Sequence, residues 1–305
     1  MSRMRDLIGR FMRSKRGYNF LSRSFTGYPL LLCWRKNWIP TPHGVATTSL
    51  RDGRTLKCQL ADRTQRTMYM GLFEPAETRL VKELLLPGDV FIDIGAHIGW
   101  YTTIGSKLVE GGSVIAFEPY PANALTLQEN LHLNHCANVL VVETALGEQS
   151  GTTFIASSSG DSGSVTALSW ARDGRTEVPV ITLDEIDVNI DFGPAALVKI
   201  DVEGWESHVL GGARKTLSRA KRVLVEINLP ALEEAGSSKE EIFDLLRNCG
   251  FTNFFHISEG GVRRFSSNAV SNVLATKAFD RIGSRSRDDW GLSHRTISHL
   301  RRDQD

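Results

Sequence analysis

Apolar residues in the middle of the chain follow two alternating patterns. Short unbroken apolar runs are typical of strands that are buried on both faces. Stretches with apolar positions three and four residues apart predict helices. The runs that predict strands are 90–94, 113–117, 138–142, 197–200 and 223–227. The stretches that predict helices are 98–108, 121–133, 205–217 and 239–248. We therefore expect an α/β fold built on a mostly parallel sheet with helices on both faces.

The segments on either side of this core contain hairpin signals. Two strand-like segments, 45–50 and 55–60, flank an Asp-Gly turn signal at 52–53, and a helix is predicted from Pro75 onward. Near the other end, the segment 251–265 predicts a closing hairpin around a Gly-Gly pair, and 272–275 predicts a further strand.

These patterns divide the chain into three parts. They are a basic N-terminal arm (1–42), a folded domain (43–279, with a hairpin and helix at 43–86 and the core at 87–279) and a C-terminal tail (280–305). A Ser- and Gly-rich insertion at 148–179 interrupts the alternation within the domain. Two interpretations of this insertion stay open, a surface loop and a lid or substrate-binding loop.

Composition excludes several classes of protein. With 41% hydrophobic and 23% charged residues in 305, the chain is neither wholly disordered nor collagen-like. Its apolar runs fall short of the roughly 18 residues that a bilayer span needs. The cysteines (Cys33, Cys58, Cys136 and Cys249) are far apart. That spacing matches neither a disulfide framework nor a thiolate zinc site, so we expect a reducing, cytoplasmic location.

Charge is distributed unevenly along the chain. Residues 1–36 carry nine Lys or Arg and one acidic residue, whereas the whole chain has a net charge of +1. The arm is either a solvated extension or a peripheral attachment to an anionic membrane surface. We expect no nucleic-acid partner, because no recognisable binding module follows the arm. No apolar segment follows the basic residues in the manner of a secretory signal.

The strongest local motif follows the first core strand. Asp93 ends the strand, and Gly95, Ala96, His97 and Gly99 form a glycine-rich turn before the next helix. Glycines allow a ligand to approach the backbone, and the helix N-terminus presents free N–H groups to an anion. The spacing differs from the dinucleotide fingerprint G-x-G-x-x-G, because His97 stands where its second glycine would be. We predict a cofactor site here, at the carboxyl edge of the sheet.

A second acidic residue follows the next strand. Glu118 lies 23 residues after Gly95, where a carboxylate can accept hydrogen bonds from a ribose diol and repel a 2′-phosphate. The two motifs together predict an adenosine-type cofactor with a free ribose.

A third group of acids lies farther along the chain. Asp201 and Glu203 come just after the strand at 197–200, and Glu226 lies near the end of the strand at 223–227. The pair Asp201 and Glu203 could hold a substrate, bind a cation or act as a base. The alternative is structural, since acids are also favoured in the first turn of a helix.

These motifs, taken in order, resemble one known family. The runs that carry the resemblance are LPGDVFIDIGAHIGWYT from residue 86, AFEP from 116, ETALG from 143 and KIDVEGWE from 199. The chain resembles the FkbM family of S-adenosylmethionine-dependent methyltransferases over about residues 70–276. The family often has Asn where this chain has His97. The resemblance implies a Rossmann-like class I methyltransferase fold, with seven strands and the last strand antiparallel. It also implies O-methylation of a sugar, glycolipid or secondary metabolite.

The resemblance also gives these residues expected roles. S-adenosylmethionine would contact the glycine turn through its methionine end, with Asp93 helping to hold it. Glu118 would hold the ribose, and Ala145 would border the adenine. An alcohol acceptor must lose a proton during transfer, so a nearby base helps. Glu203 and Asp201 are the first candidates for that base, and Glu226 would act as a base or orient the substrate.

Alternatives to this interpretation stay open at this point. A nucleotide-dependent oxidoreductase and a non-catalytic binding protein on the same fold are the other classes we consider. We predict no metal, although a divalent cation held by Asp201 and Glu203 remains a variant of the leading interpretation.

Overall fold

The computed structural model describes residues 44–158, 161–167, 175–190, 193–258, 261–264 and 272–277. The predicted arm at 1–42 and tail at 280–305 lie outside these residues, as does part of the insertion. Within the described residues, none of the helices has the length and apolar content needed to cross a bilayer.

The elements alternate as the apolar pattern predicts. The strands are β1 Val45–Ser49, β2 Thr55–Gln59, β3 Val90–Ile94, β4 Ser113–Phe117, β5 Val139–Val142, β6 Ala145–Leu146, β7 Gly151–Ser158, β8 Asp161–Ala167, β9 Arg175–Ile181, β10 Leu197–Ile200, β11 Arg222–Val225, β12 Asn253–Ser258, β13 Gly261–Arg264 and β14 Val273–Thr276. The helices are α1 Arg63–Tyr69, α2 Pro75–Leu84, α3 Trp100–Leu108, α4 Pro121–Leu133, α5 Leu183–Ile190, α6 Glu206–Gly211, α7 Arg214–Arg219, α8 Leu229–Glu234 and α9 Lys239–Asn248.

The large sheet has the order β13-β12-β14-β11-β10-β3-β4-β5 in the described residues. The pairings from β11 through β10, β3 and β4 to β5 are parallel, and β14 runs antiparallel to both β11 and β12. The mostly parallel sheet and its antiparallel last strand are therefore confirmed. The sheet has eight strands in the described residues and not the expected seven. The additional strand is β13, which pairs with β12 as the second arm of the closing hairpin.

The order of the strands determines where a ligand can bind. The chain leaves β3 for β4 and β5 on one side, and it later returns to β10 and β11 on the other side. A crevice opens at such a reversal, outside the carboxyl ends of the two central strands. The residues that follow β3 and β10 therefore face each other across that crevice.

The sheet is covered by apolar residues on both faces. The side chains of β3 alternate, with Phe91 in the cluster that includes Leu56, Leu80 and Ile104, and Ile92 in the cluster on the opposite face. Burial on both faces explains why this strand appears in the sequence as an apolar run.

The first hairpin is attached to the core by polar side chains. The Arg54 side chain is buried, and its Nη1 donates to the Trp100 carbonyl oxygen at 2.8 Å and to Thr103 Oγ1 at 3.0 Å. Asn130 Oδ1 and Asn134 Oδ1, on or just after α4, accept from the backbone of β2. The asparagine bonds satisfy backbone groups of β2 and connect the hairpin to α4. The Arg54 bonds connect it to α3, the helix that follows the glycine turn.

Two expectations for the remainder of the domain need correction. The polar insertion contains β7, β8 and β9, which join β6 in a separate four-stranded sheet, so it is not a bare loop. The helix predicted at 205–217 is two short helices, α6 and α7. They are separated at Gly212, where a Cβ atom would lie 1.9 Å from the Gly147 carbonyl oxygen. Close backbone packing at Gly212 therefore interrupts the helix, although the helical spacing of apolar residues continues through this segment.

Candidate active site

A cavity of about 250 Å³ lies at the carboxyl ends of β3, β4, β10 and β11. It is lined by predicted site residues from both sides of the crevice, namely Gly95, Ala96, His97, Glu118, Ala145, Asp201, Glu203 and Glu226. Asp93 and Gly99 are the predicted site residues that do not line it. The fold thus brings together residues that are more than one hundred positions apart in sequence.

The glycine turn is shaped by close approach of backbone to backbone. Gly95 has a φ of 81°, and a Cβ atom there would lie 1.8 Å from the Asp201 carbonyl oxygen. Its N–H, like that of Ala96, donates to the Phe117 carbonyl oxygen at 3.0 Å. Gly99 has a φ of 89°, and its Cβ would strike Leu127. Gly95 is therefore required by backbone packing, and Gly99 is favoured mainly by its left-handed conformation.

Glu118 is connected to this turn. Its carboxylate accepts hydrogen bonds from the His97 N–H at 2.8 Å and from the Tyr120 N–H at 3.0 Å. His97 takes a left-handed conformation with φ of 53°, which directs its N–H toward that carboxylate. Burial raises the pKa of Glu118 to about 7, against the lowering effect of these backbone donors. A carboxyl group that lines the cavity is thus pre-oriented by the turn it faces.

Asp93 lies behind the cavity wall. It is buried, its Oδ2 accepts from Thr102 Oγ1 at 2.6 Å, and its Oδ1 has no hydrogen-bond partner. Burial raises its pKa, and the nearby Lys199 opposes that shift. From this position Asp93 holds the first turn of α3 through Thr102.

The carboxylates of Asp201, Glu203 and Glu226 converge on the other side of the cavity. Their ligand atoms lie within 4.8 Å of one another, and they are the only such group with spacing for a cation among the described residues. The Lys199 ammonium, however, already lies 2.8 Å from Asp201 Oδ2 and supplies a positive charge there. The same spacing would suit a divalent cation.

Two of these carboxyl groups, those of Asp201 and Glu226, differ in their protonation state. The Asp201 carboxylate, followed by burial, raises the pKa of Glu226 to about 11. Burial alone would raise the pKa of Asp201, but the Lys199 ammonium and the hydrogen bonds from Glu226 and Lys199 together lower it. Asp201 is therefore ionised, and Glu226 carries the proton at neutral pH.

The helix-capping role that was the alternative for Asp201 and Glu203 is filled by another residue, Glu206. Glu206, which is fully buried, accepts from the N–H groups of Val202 and Gly204, each at 3.1 Å. Glu206 closes the turn that precedes α6, and the two acids before it line the cavity.

Sequence reasoning missed Lys199, Glu74 and Tyr101, which also line the cavity. Glu74 precedes α2 in a left-handed conformation with φ of 41°, and its Oε2 accepts from the Tyr101 hydroxyl at 2.6 Å. Burial and then the Asp201 charge raise the pKa of Glu74 to about 7. A lysine inside an otherwise apolar strand was a readable signal for Lys199. The sequence carries no comparable signal for Glu74.

The far end of the cavity is apolar. Ala145 and Leu146 in β6 are buried, and Ile155 of β7 packs with Ala145 in a small cluster. All of them line the cavity beyond Glu118. The insertion therefore contributes a wall to the site.

Comparison with known proteins identifies the class. The Methyltransferase FkbM domain matches residues 93–252, which is more than half of the chain. The chain belongs to this family and is an S-adenosylmethionine-dependent methyltransferase of class I fold. The matched segment begins at Asp93 and includes the glycine turn, Glu118 and the three converging carboxylates. Membership of this family favours a methyltransferase over the two alternatives considered from the sequence, an oxidoreductase and a non-catalytic binding protein.

Several characterised proteins are similar to this chain. The 2-O-methyltransferase NoeI of Sinorhizobium fredii is 27% identical over 184 residues, which cover 55% of this chain and 75% of that protein. The 31-O-demethyl-FK506 methyltransferase FkbM of Streptomyces tacrolimicus is 29% identical over 199 residues, with coverages of 55% and 74%. The hexuronic acid methyltransferase AglP of Haloferax volcanii is 29% identical over 168 residues, with coverages of 55% and 65%.

Proposed function

We propose that this enzyme methylates a hydroxyl group of a sugar or of a sugar-like polyol. The observation that carries the proposal is the position of the carboxylates of Asp201, Glu203 and Glu226. They line the same cavity as the glycine turn and Glu118, on its opposite side. Proteins similar to this chain bear the names 2-O-methyltransferase and 31-O-demethyl-FK506 methyltransferase, which supports an oxygen acceptor.

The residues on the β3–β4 side fit the cofactor that the family uses. A Cβ at Gly95 would fill the turn, and the Glu118 carboxylate lines the cavity in a fixed orientation. We assign Gly95, Ala96 and His97 to the methionine end, with Asp93 and Gly99 supporting the turn. We assign Glu118 to the ribose hydroxyls and Ala145 to the adenine edge. S-adenosylmethionine supplies, when bound, a methyl group on a positively charged sulfur.

The β10–β11 side would manage the acceptor and its proton. The acceptor oxygen gains the methyl carbon as the carbon–sulfur bond breaks, and the hydroxyl proton must pass to a base. We assign that role to Glu203. Asp201 is fixed by Lys199 at 2.8 Å, which leaves it to accept a hydrogen bond and orient the hydroxyl. Glu226 donates its proton to Asp201, and its other carboxyl oxygen can accept a hydrogen bond from a second hydroxyl of the acceptor.

Methyl transfer to a set of methyl glycosides tests the proposal. Purified full-length protein would be incubated with S-adenosylmethionine carrying a deuterated methyl group, and products would be located by mass spectrometry. We expect label on a sugar oxygen. Label on a nitrogen or carbon atom, or none on any glycoside while the cofactor binds, would contradict the proposed acceptor class.

A matched pair of variants tests the assigned base. Glu203→Gln should slow transfer by about 10²–10⁴-fold, the usual contribution of a general base. Glu110→Gln, an exposed acid just after α3, should leave the rate unchanged. Normal turnover in Glu203→Gln would remove it from this role.

A further inference from the structure

The acceptor side of the cavity carries an excess of acidic groups. Glu74 precedes α2, Asp201 and Glu203 follow β10, and Glu226 follows β11, and all line the cavity. Among the described residues, Lys199 and His97 are the basic side chains that line it. The ammonium of Lys199 is engaged by Asp201 at 2.8 Å.

These acids interact with one another as well as with solvent. Asp201, Glu203 and Glu74 all act to raise the pKa of Glu226, and Asp201 acts in the same direction on Glu74. Both raised pKa values indicate that a further negative charge is unfavourable in this part of the cavity. An anionic group brought into this space would meet the same repulsion, which these partly buried positions screen less than bulk water would.

Aromatic rings complete the acceptor wall. Phe73 lies edge-on to Trp100 at 5.8 Å and to Tyr101 at 6.3 Å between ring centroids, and all three line the cavity. Aromatic rings suit the apolar C–H face of a sugar, and they also attract cations, as the Lys199 ammonium at 4.8 Å from the Tyr101 ring and the Arg54 guanidinium at 4.5 Å from the Trp100 ring show. Neither contact favours an anion.

We infer that the acceptor is a neutral or ammonium-bearing polyhydroxylated molecule and that the cavity discriminates against one with a carboxylate or phosphate near the reacting hydroxyl. This inference rests on the proposed function, because it assumes that the acceptor hydroxyl belongs to a polyol. The carboxylates would accept hydrogen bonds from neighbouring hydroxyl or ammonium groups, which are donors.

Three methyl glycosides that differ in one group provide the test. They are methyl glucoside, methyl glucosaminide and methyl glucuronide of the same anomeric configuration, each assayed with S-adenosylmethionine and the full-length protein. We expect kcat/KM for the glucuronide to be lower than for the other two by on the order of tenfold or more. Equal or faster methylation of the glucuronide would overturn the inference and leave the proposed function standing. If none of the three is methylated although the cofactor binds, the proposed sugar acceptor fails and the inference fails with it.

A charge variant separates electrostatics from shape. At pH 8, where Glu74 is mostly ionised, Glu74→Gln retains an oxygen that can accept from the Tyr101 hydroxyl but removes a negative charge from the wall. The ratio of kcat/KM for glucoside over glucuronide should fall by several-fold in this variant. The same ratio should be unchanged in Glu110→Gln, whose side chain does not line the cavity. An unchanged ratio in Glu74→Gln would show that charge on this wall does not set the preference.

Discussion

The two sides of the cavity are built by different means. On the β3–β4 side, backbone groups dominate, since Gly95 packs on the Asp201 carbonyl oxygen and Glu118 is held by backbone N–H groups. On the β10–β11 side, side-chain charges dominate, and Lys199 balances acids brought from distant parts of the chain. The first side depends on close packing that leaves no space for a side chain at Gly95. The second is held together by electrostatic compensation, so its properties depend on each charge being present.

The largest expected effect follows from removing the compensating cation. Lys199→Met leaves the Asp201 carboxylate without its partner, and breaking a buried ion pair costs about 3–5 kcal/mol. In the wild type, Asp201 has a pKa below its ordinary value of 3.8, so its contribution to stability is present above about pH 4 and is lost as the pH falls through the lowered pKa. In the variant, burial raises that pKa instead. The loss should therefore be full at pH 8 and shrink as the pH falls and Asp201 becomes protonated.

Denaturant unfolding at several pH values measures this effect. Lys57→Met is the matched control, because Lys57 makes the same type of contact with Glu129 at 2.7 Å on the surface. Exposed pairs contribute about 0–1 kcal/mol, so the control should change little at any pH. Equal losses in the two variants would mean that Lys199 does not compensate a buried charge.

A somewhat smaller effect is expected from the backbone-built side. Gly95→Ala combines a left-handed φ of 81° with a contact of 1.8 Å to a backbone oxygen, and we expect a loss of about 3 kcal/mol in the free energy of unfolding. Gly111→Ala isolates the conformational part, since Gly111 has a φ of 78° and open space around it. It should cost only about 1 kcal/mol. If both variants lose the same stability, close approach at Gly95 is not what shapes the turn.

The pH dependence of ligand binding sharpens the comparison further. The pKa of Glu118 is raised to about 7 in the free protein, and only its ionised form accepts fully from a ribose diol. Binding of S-adenosylhomocysteine should therefore weaken by about tenfold between pH 8 and pH 6, as the carboxylate takes up a proton. Calorimetric titration at both pH values measures this change. In Glu118→Gln the dissociation constant should be higher than in the wild type, and its change between the two pH values should be smaller. An identical pH dependence in that variant would assign the effect to another group.

The smallest expected effect concerns metals. Because Lys199 already supplies positive charge to Asp201, methyl transfer should be unchanged when the protein is dialysed against a chelator. Loss of activity that returns with a divalent cation would show that the three carboxylates bind a metal during the reaction.

The same contrast explains what the sequence could predict. The runs at 90–94 and 113–117 coincide with β3 and β4, and the stretch at 121–133 coincides with α4, because burial on both faces and helical periodicity are local signals. The glycine turn was visible for the same reason. The strands of the insertion were missed because Gly and Asp, which are depleted in strands, are frequent there. The pairing of β9 with β6, which lies outside the insertion, leaves no local pattern.

The residues on the acceptor side of the cavity could be predicted from the sequence only in part. Asp201 and Glu203 are two residues apart in the sequence. Glu74 lines the same cavity but precedes them by more than one hundred residues. Its left-handed backbone conformation and its bond to Tyr101 are products of tertiary packing, and no local pattern encodes them. Long-range convergence of charges is the part of the site that required the structure.

We predict that the two sides of the cavity act separately, one on the cofactor and the other on the acceptor. Calorimetric titration of S-adenosylhomocysteine into the wild type, Glu118→Gln and Glu203→Gln at pH 8 tests this most directly. Glu118→Gln should weaken binding by on the order of tenfold or more, since it removes a charged hydrogen-bond acceptor. Glu203→Gln should bind with the affinity of the wild type. Equal weakening in both variants, or none in Glu118→Gln, would contradict the division of the cavity.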